Sequence, residues 1–453
     1  MKTFDIQLTA IAHGGAALGR YEGRVIFVPY ALPGETARVE ITQDKGRYAF
    51  ARLVEVLEPS PNRIPPPCPY FTICGGCQWQ HMDYQSQLDF KSEIVADQLT
   101  RIGKIAAPLV RPTLPDSSGW AYRNHAQFHP VEGGGLGFHS AGTHDARPGQ
   151  GRRAIAIDEC PILHPLLADL YAILGPSFDL PGLARLSLRA GTETGDLMLI
   201  FEMADDLPPS LEIDVPVSCV LLLSDGVHVN LIGNNHITET VAGYTYRISA
   251  PSFFQVNTSQ AAQLVRLVTE YLDLKGGETV LDAYCGVGLF TTHLAERAGL
   301  VIGIEQSAAA VTDLLENTTE QDAIDGDTGD TTDDYANAND AYGNVDAYGN
   351  IDVIEGQVEA VLPDLDLDLG VDSPLDAAVI DPPRAGVDRF ALDALVKHHP
   401  ARLVYVSCDP ATLARDAKRL IKGGYELVEV QPVDMFPQTS HVESVALFVS
   451  TNE

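Results

Sequence analysis

From about Ala250 the chain repeats one unit: strand, glycine-rich turn, helix. That repeat commits this half to a parallel sheet covered by helices, an α/β Rossmann-like domain. Thr279–Ala283 reads as a strand, Tyr284-Cys285-Gly286-Val287-Gly288 as the turn and Leu289–Ala298 as a helix. Leu300–Glu305, Ile351–Glu355, Ala377–Asp381 and Leu403–Ser407 are the strands that follow, with a helix from Ser307 to about Thr319 and a final strand at Val445–Ser450. In open sheets of this kind, ligands bind beyond the carboxyl ends of the strands.

Several residues fall at that edge. Val404-Tyr405-Val406-Ser407 runs into Cys408, and Asp409-Pro410 then breaks the strand. A thiol there is either a small buried hydrophobe or a nucleophile. The Gly286-Val287-Gly288 turn is a weak nucleotide signal alone. It gains weight from Glu305, which ends the next strand about 20 residues on, where a carboxylate can accept both ribose hydroxyls. With no third dinucleotide-type glycine and no P-loop lysine, the expected ligand is S-adenosylmethionine rather than NAD or ATP. Asp381-Pro382-Pro383-Arg384 forms a rigid turn after a strand. Methylases of adenine N6 have an aromatic after the two prolines, whereas Arg384 suits a different base or a phosphate. Glu443 and His441, in Gln438-Thr439-Ser440-His441-Val442-Glu443-Ser444, are each readable as a general base or as a packed loop residue.

The rest of the chain reads as two further domains, making a multidomain protein. Residues 1–58 hold short strands separated by Gly and Pro, the pattern of an OB-like barrel that either binds oligonucleotides or caps the fold. A Pro-rich linker at Pro59–Pro67 opens a central α+β domain, 59–250, with a helix at Tyr84–Ile102 and strands at Trp120–His129 and Gly135–His139. The methyl-donor domain is expected over 251–453. It is interrupted at 321–350 by an acidic segment rich in Asn, Thr and Gly, expected to be a disordered insertion.

The seven cysteines are few and odd in number, which argues against a disulfide framework. Cys68, Cys74 and Cys77 have the spacing C-x5-C-x2-C, and Cys160, followed like Cys68 by proline, is the candidate fourth ligand. Four thiolates suit an iron–sulfur cluster, which the spacing favours, or a structural zinc. No apolar run is long enough to span a bilayer and no signal peptide is evident, so a cytoplasmic protein with no membrane partner is expected, most simply a monomer. The formal charge of −32 disfavours nucleic acid at first sight, but Glu320–Asp376 alone carries 17 acids and no Lys or Arg. Compensation is expected in Arg20, Arg24, Lys45, Arg47, Arg52 and Arg123.

Taken together these motifs resemble the S-adenosylmethionine-dependent RNA uridine C5-methyltransferases, over nearly the whole chain. The carrying segments are the four cysteines, Phe253-Phe254-Gln255-Val256-Asn257, Asp282–Gly288, Asp381–Gly386, Ser407-Cys408-Asp409-Pro410 and Gln438–Glu443. The amino-terminal barrel looks like the TRAM domain of the branch acting on 23S ribosomal RNA. The resemblance implies that Cys408 adds to C6 of uracil and that Glu443 takes the C5 proton. It implies cofactor contacts from Gln255, Tyr284, Glu305 and Asp381, and a [4Fe–4S] cluster on Cys68, Cys74, Cys77 and Cys160. Leu289 departs from the pattern, standing where relatives carry a cofactor-contacting Asn. A cytosine C5 target is disfavoured because no second cysteine follows a proline near Asp381. An RNA-binding assembly factor without catalysis is disfavoured by the intact Cys408 and Glu443.

Overall fold

The computed structural model describes residues 3–142, 153–174, 178–319, 349–365 and 375–451. Most of the acidic insertion therefore lies outside the described residues. Its end, Asn350, donates to the carbonyls of Ala295 and Ala298.

The amino terminus is a closed five-stranded barrel in the order β1-β2-β3-β5-β4, with β1 Thr3–Ile11, β2 Ala17–Tyr21, β3 Arg24–Val28, β4 Thr36–Asp44 and β5 Tyr48–Glu58. Alternation puts Ile6, Leu8, Ala17, Ile26, Val28, Val39 and Ala49 inside. Closure leaves no free sheet edge.

The central region is a seven-stranded sheet, β12-β11-β10-β9-β6-β7-β8. Its strands are β6 His125–Pro130, β7 Leu136–His139, β8 Ala154–Ala156, β9 Leu183–Ala190, β10 Leu197–Met203, β11 Ser218–Leu222 and β12 His228–Ile232. The strand read from Trp120 begins only at His125, because Trp120–Asn124 is taken up by a turn with Ala121 at φ +54°. The hairpin β13 His236–Val241 and β14 Tyr244–Ser249 pairs with itself alone. It packs on the helix Ala308–Thr319, where Asp313 accepts from Arg247 Nε, Ser249 N and Ser252 Oγ.

The carboxy-terminal sheet has the order β17-β16-β15-β18-β19-β21-β20. It comprises β15 Thr279–Ala283, β16 Leu300–Glu305, β17 Ile351–Glu355, β18 Ala377–Ile380, β19 Arg402–Ser407, β20 Tyr425–Val433 and β21 Glu443–Ser450. β15 to β19 are parallel, and β21 inserts antiparallel between β19 and β20. The order reverses at β15, so a crevice opens between the ends of β15 and β18, the usual ligand position. These strands read as continuous apolar runs because helices cover both faces. One of those helices, Tyr84–Arg101, comes from far upstream and buries Val95 and Leu99 in the same core as Leu281 and Tyr405. Among the described residues no helix is long and apolar enough to cross a membrane.

Candidate active site

Sequence-distant residues meet at the carboxyl edge through strand register. Ser407 of β19 pairs with Ser444 of β21, so the next residues outward, Cys408 and Glu443, face each other at the edge. β18 lies on the other side of β19 and ends at Ile380, so Asp381 is the first residue beyond it. Asp409 caps the helix Pro410–Lys422, its Oδ1 accepting Ala411 N and Thr412 N at 2.9 Å. Ser407 Oγ donates to Asp409 O at 3.0 Å, which closes the turn around Cys408. Cys408 is half-buried, and Glu443 is 3% exposed with Oε1 lacking any hydrogen-bond partner.

Five acids couple across this edge. Burial, then the charges of Glu443 and Asp381, push the Cys408 thiol up to about 12, against the pull of Arg384. Burial, then Asp381, raises Glu443 well above the ordinary carboxylate range, again opposed by Arg384. Asp381 is raised to about 7 by burial and then by Asp282. Asp282 is raised to about 7 by burial, with Glu305 adding to the rise and Thr291 opposing it. Arg384 is the cation common to Cys408 and Glu443.

Three of the four residues expected to contact the cofactor lie at neighbouring strand ends, Tyr284 after β15, Glu305 closing β16 and Asp381 after β18. Tyr284 takes φ +66° directly after β15, where its N–H bonds Ile304 O at 2.9 Å. Glu305 accepts Gly286 N at 3.0 Å and Ser307 N at 2.8 Å, and each carboxylate oxygen keeps a lone pair for a ribose hydroxyl. A Cβ on Gly288 would meet Leu314 at 3.1 Å, whereas one on Gly286 would meet nothing within 4 Å. Gly286 therefore borders open space where a ligand can lie against the backbone, and these residues fit an adenosyl group. Gln255 is buried, its carbonyl accepting Asn124 Nδ2 at 3.0 Å. Leu289 is core, 7% exposed, and makes no polar side-chain contact by its nature.

Cys68, Cys74, Cys77 and Cys160 line one cavity of about 360 Å³, together with Arg123, Arg384, Phe436, Thr439 and His441. Burial first, and then the other three thiols, pushes Cys77 up to about 12. The four sulfurs expected as ligands are thus brought to one place. Among the described residues, however, no group of three or more His, Cys, Asp or Glu side chains stands in ligating geometry. The all-sulfur donor set is of the kind that iron–sulfur clusters and structural zinc take.

The barrel contributes directly. His13 Nε2 lies 3.5 Å from Asp409 Oδ2, and Trp79 Nε1 donates to Gly15 O at 3.1 Å. A Cβ on Gly15 would strike Ser440 at 2.5 Å, so only glycine allows the barrel this close to the β20–β21 connection. The barrel cations expected to offset the acidity are partly consumed, Arg24 by Asp44 and Arg52 by Glu40. The arginines in the cavity by the site are Arg123 and Arg384.

Sequence reasoning passed over Lys91 and Asp434. Both are fully buried, and Lys91 Nζ donates to Asp434 Oδ1 at 2.5 Å and to Phe436 O at 3.0 Å. The signal was present: Lys91 lies three residues from both Leu88 and Ile94, on the apolar stripe of its helix.

Comparison with known proteins agrees with this geometry. Residues 1–54 match the TRAM domain model, and residues 361–451 match that of tRNA (Uracil-5-)-methyltransferase. Residues 233–340 match the model of protein-L-isoaspartate(D-aspartate) O-methyltransferase. An RNA methyltransferase of Halalkalibacterium halodurans is 36% identical, the match covering 99% of this chain and 97% of that protein. Another, of Thermosynechococcus vestitus, is 34% identical over 99% of this chain and 98% of its own. The crystal structure of Pyrococcus abyssi tRNA (uracil-54, C5)-methyltransferase in complex with S-adenosyl-L-homocysteine is similar with a TM-score of 0.70. It is 26% identical and covers 98% of this chain and 100% of that one. The chain belongs to the RNA methyltransferases that join an amino-terminal TRAM barrel to a carboxy-terminal uracil-5-methyltransferase domain.

Proposed function

We propose that this enzyme transfers a methyl group from S-adenosylmethionine to C5 of a uridine in RNA, through a temporary bond between Cys408 and C6. The observation that carries the reading is the pairing of Ser407 with Ser444, which sets a thiol beside a buried carboxyl whose Oε1 has no hydrogen-bond partner. Uracil C5 is a poor nucleophile. The Cys408 thiol gives up its proton to solvent as its sulfur adds to C6, which loads the electrons of the C5–C6 double bond onto C5 and O4, and C5 then attacks the methyl carbon as its bond to sulfonium sulfur breaks. Glu443 takes the C5 proton. The electrons of that C–H bond restore the C5–C6 double bond, and Cys408 leaves C6 as thiolate. Arg384 supports the negative charge that develops beside both groups. Gln255, Tyr284, Glu305 and Asp381 bind the cofactor. The uridine is turned out of its stack to present C5 and C6.

Cys68, Cys74, Cys77 and Cys160 hold a [4Fe–4S] cluster in this reading, which ties the loop 68–77 to the segment at Cys160. Methyl transfer needs no electron from it.

The target we infer is 23S ribosomal RNA, on the resemblance of the barrel and cysteine set to that branch. A second reading, transfer RNA, is favoured by the likeness to the Pyrococcus abyssi tRNA enzyme, which extends over 98% of the chain. Mapping 5-methyluridine in ribosomal and transfer RNA from cells lacking the gene decides between them. Unchanged 5-methyluridine in every RNA would overturn both.

A further inference from the structure

The connection between β20 and β21, residues 434–442, lies against the site and delivers Glu443 into it. It has little secondary structure, yet four successive backbone carbonyls, Met435 to Gln438, are each taken by a group from elsewhere. Met435 O accepts Asn257 Nδ2 at 3.5 Å, Phe436 O accepts Lys91 Nζ at 3.0 Å, and Pro437 O accepts Tyr122 OH at 3.1 Å. Gln438 O accepts the N–H groups of Gln78 and Trp79 at 3.1 and 3.0 Å. Three of the four carbonyls are therefore held from the central region, and Met435 O by Asn257, the cap of the helix Thr258–Leu272.

Gln438 is the point where these ties concentrate. It is 3% exposed and takes φ +67°, a left-handed conformation that a glutamine adopts only when its surroundings hold it there. Gln87, on the helix Tyr84–Arg101 and 1% exposed, grips it twice. Gln87 Oε1 accepts Gln438 N at 3.0 Å, and Gln87 Nε2 donates to Gln438 Oε1 at 3.0 Å. Gln438 Nε2 then donates to Gly119 O at 3.2 Å. A second glutamine works from the cysteine loop. Gln78 Nε2 donates to Gly75 O at 2.9 Å, and Gln78 Oε1 accepts Ser440 N at 3.4 Å. The sheet already fixes the Glu443 backbone, through Val433 opposite it on β20. What the two glutamines add is closure of the connection, which carries the cavity-lining Phe436, Thr439 and His441, against the central region.

We propose that Gln87 and Gln78 are positioning residues for proton removal: they hold the 434–442 connection shut so that Glu443 meets the C5 proton in a fixed, dry geometry. The inference rests on the role given to Glu443 above. Opening the connection admits water to Glu443, and its proton affinity then falls toward that of a solvated carboxylate. A weaker and less confined base slows the last step and leaves the earlier bond from Cys408 untouched.

The test uses the full-length enzyme, S-adenosylmethionine and a uridine-containing RNA substrate, with Gln87→Ala, Gln78→Ala and Glu443→Gln compared with wild type. Covalent enzyme–RNA complexes are trapped by rapid denaturation and the base analysed for methyl. The expected result is about tenfold slower turnover in both glutamine variants, a fraction of what a positioned base contributes, with methylated covalent complex accumulating. RNA affinity and the rate of complex formation stay within about twofold of wild type. Turnover and complex formation falling in the same proportion would overturn the inference, since a merely structural loss slows both. So would wild-type turnover in both glutamine variants while Glu443→Gln accumulates the complex, and that result leaves Glu443 as the base. No accumulation in Glu443→Gln, with Cys408 still bonding RNA, would overturn the role of Glu443 itself. Should Gln87→Ala fail to fold, half-buried Gln78 decides the matter alone.

Discussion

Cys408 and Glu443 are 35 residues apart in the chain, yet they are brought face to face because β21 inserts antiparallel beside β19 in the register Ser407 to Ser444. Shifting that register by one residue would turn Glu443 to the other face of the sheet. Cys408 and Glu443 are thus set by the same ladder of backbone hydrogen bonds.

Removing either partner should stop the reaction at a different point. With RNA carrying 5-fluorouridine, whose fluorine cannot leave as a proton does, wild type should form a covalent complex that survives denaturing gels. Cys408→Ala should form none. Glu443→Gln should lower turnover on ordinary RNA by about 10²- to 10⁴-fold, the range of a lost general base. An undiminished complex in Cys408→Ala would remove Cys408 from the mechanism.

The free enzyme should be a sluggish thiol reagent. Burial, then Glu443 and Asp381, holds the Cys408 thiol up to about 12, so it is protonated at neutral pH. Alkylation of Cys408 by iodoacetamide, followed by peptide mass mapping, should rise about tenfold for each pH unit as the thiolate fraction grows. Arg384 opposes the upward shift, so Arg384→Gln should react more slowly still. A rate already level at neutral pH would contradict this ordering.

His81 should make the fold acid-sensitive. Burial, and then Arg63, holds it down at about 4, and neither ring nitrogen has a hydrogen-bond partner. The folded state keeps it neutral while the unfolded chain protonates near the ordinary histidine value. Stability is therefore lost as pH falls from about 6.5 toward about 4, by up to roughly 3 kcal/mol. His81→Leu should flatten the fall in melting temperature over that range. An unchanged pH slope would show that other groups govern it.

Lys91 and Asp434 form a fully buried ion pair, with Tyr84 OH donating to the second Asp434 oxygen at 2.7 Å. Lys91→Met leaves that carboxylate buried without its cation and should cost about 3–5 kcal/mol in urea unfolding. Adding Asp434→Leu should recover part of the loss. Equal stability of Lys91→Met and wild type would mean that the pair adds nothing to the stability of the fold.

Protein purified without oxygen should carry iron and sulfide in comparable amounts and absorb broadly in the visible. Cys160→Ser should lose most of both. Zinc without iron would replace the cluster by a structural metal on the same four cysteines.

Much of this was legible in the chain itself. Parallel strands buried on both faces are written as short apolar runs, and so Thr279–Ala283, Leu300–Glu305 and Ile351–Glu355 could be located from the sequence. The barrel was visible in its alternation, although β2 at Ala17–Tyr21 was not, being short and rich in small and polar residues. The helix expected at Leu289–Ala298 shrinks to Thr291–Ala295, since the residues before it belong to the turn that follows Gly288. The chain thus determined its repeats, its breakers and which side chains carry reactive chemistry, because these depend on neighbours a few positions away. Only the tertiary structure decided that β21 inserts between β19 and β20, that helix Tyr84–Arg101 buries a lysine against Asp434, and that the barrel's Gly15 touches Ser440. Those relations join residues tens to hundreds of positions apart, and their energy comes from burial and hydrogen bonds that exist only once all the partners are in place.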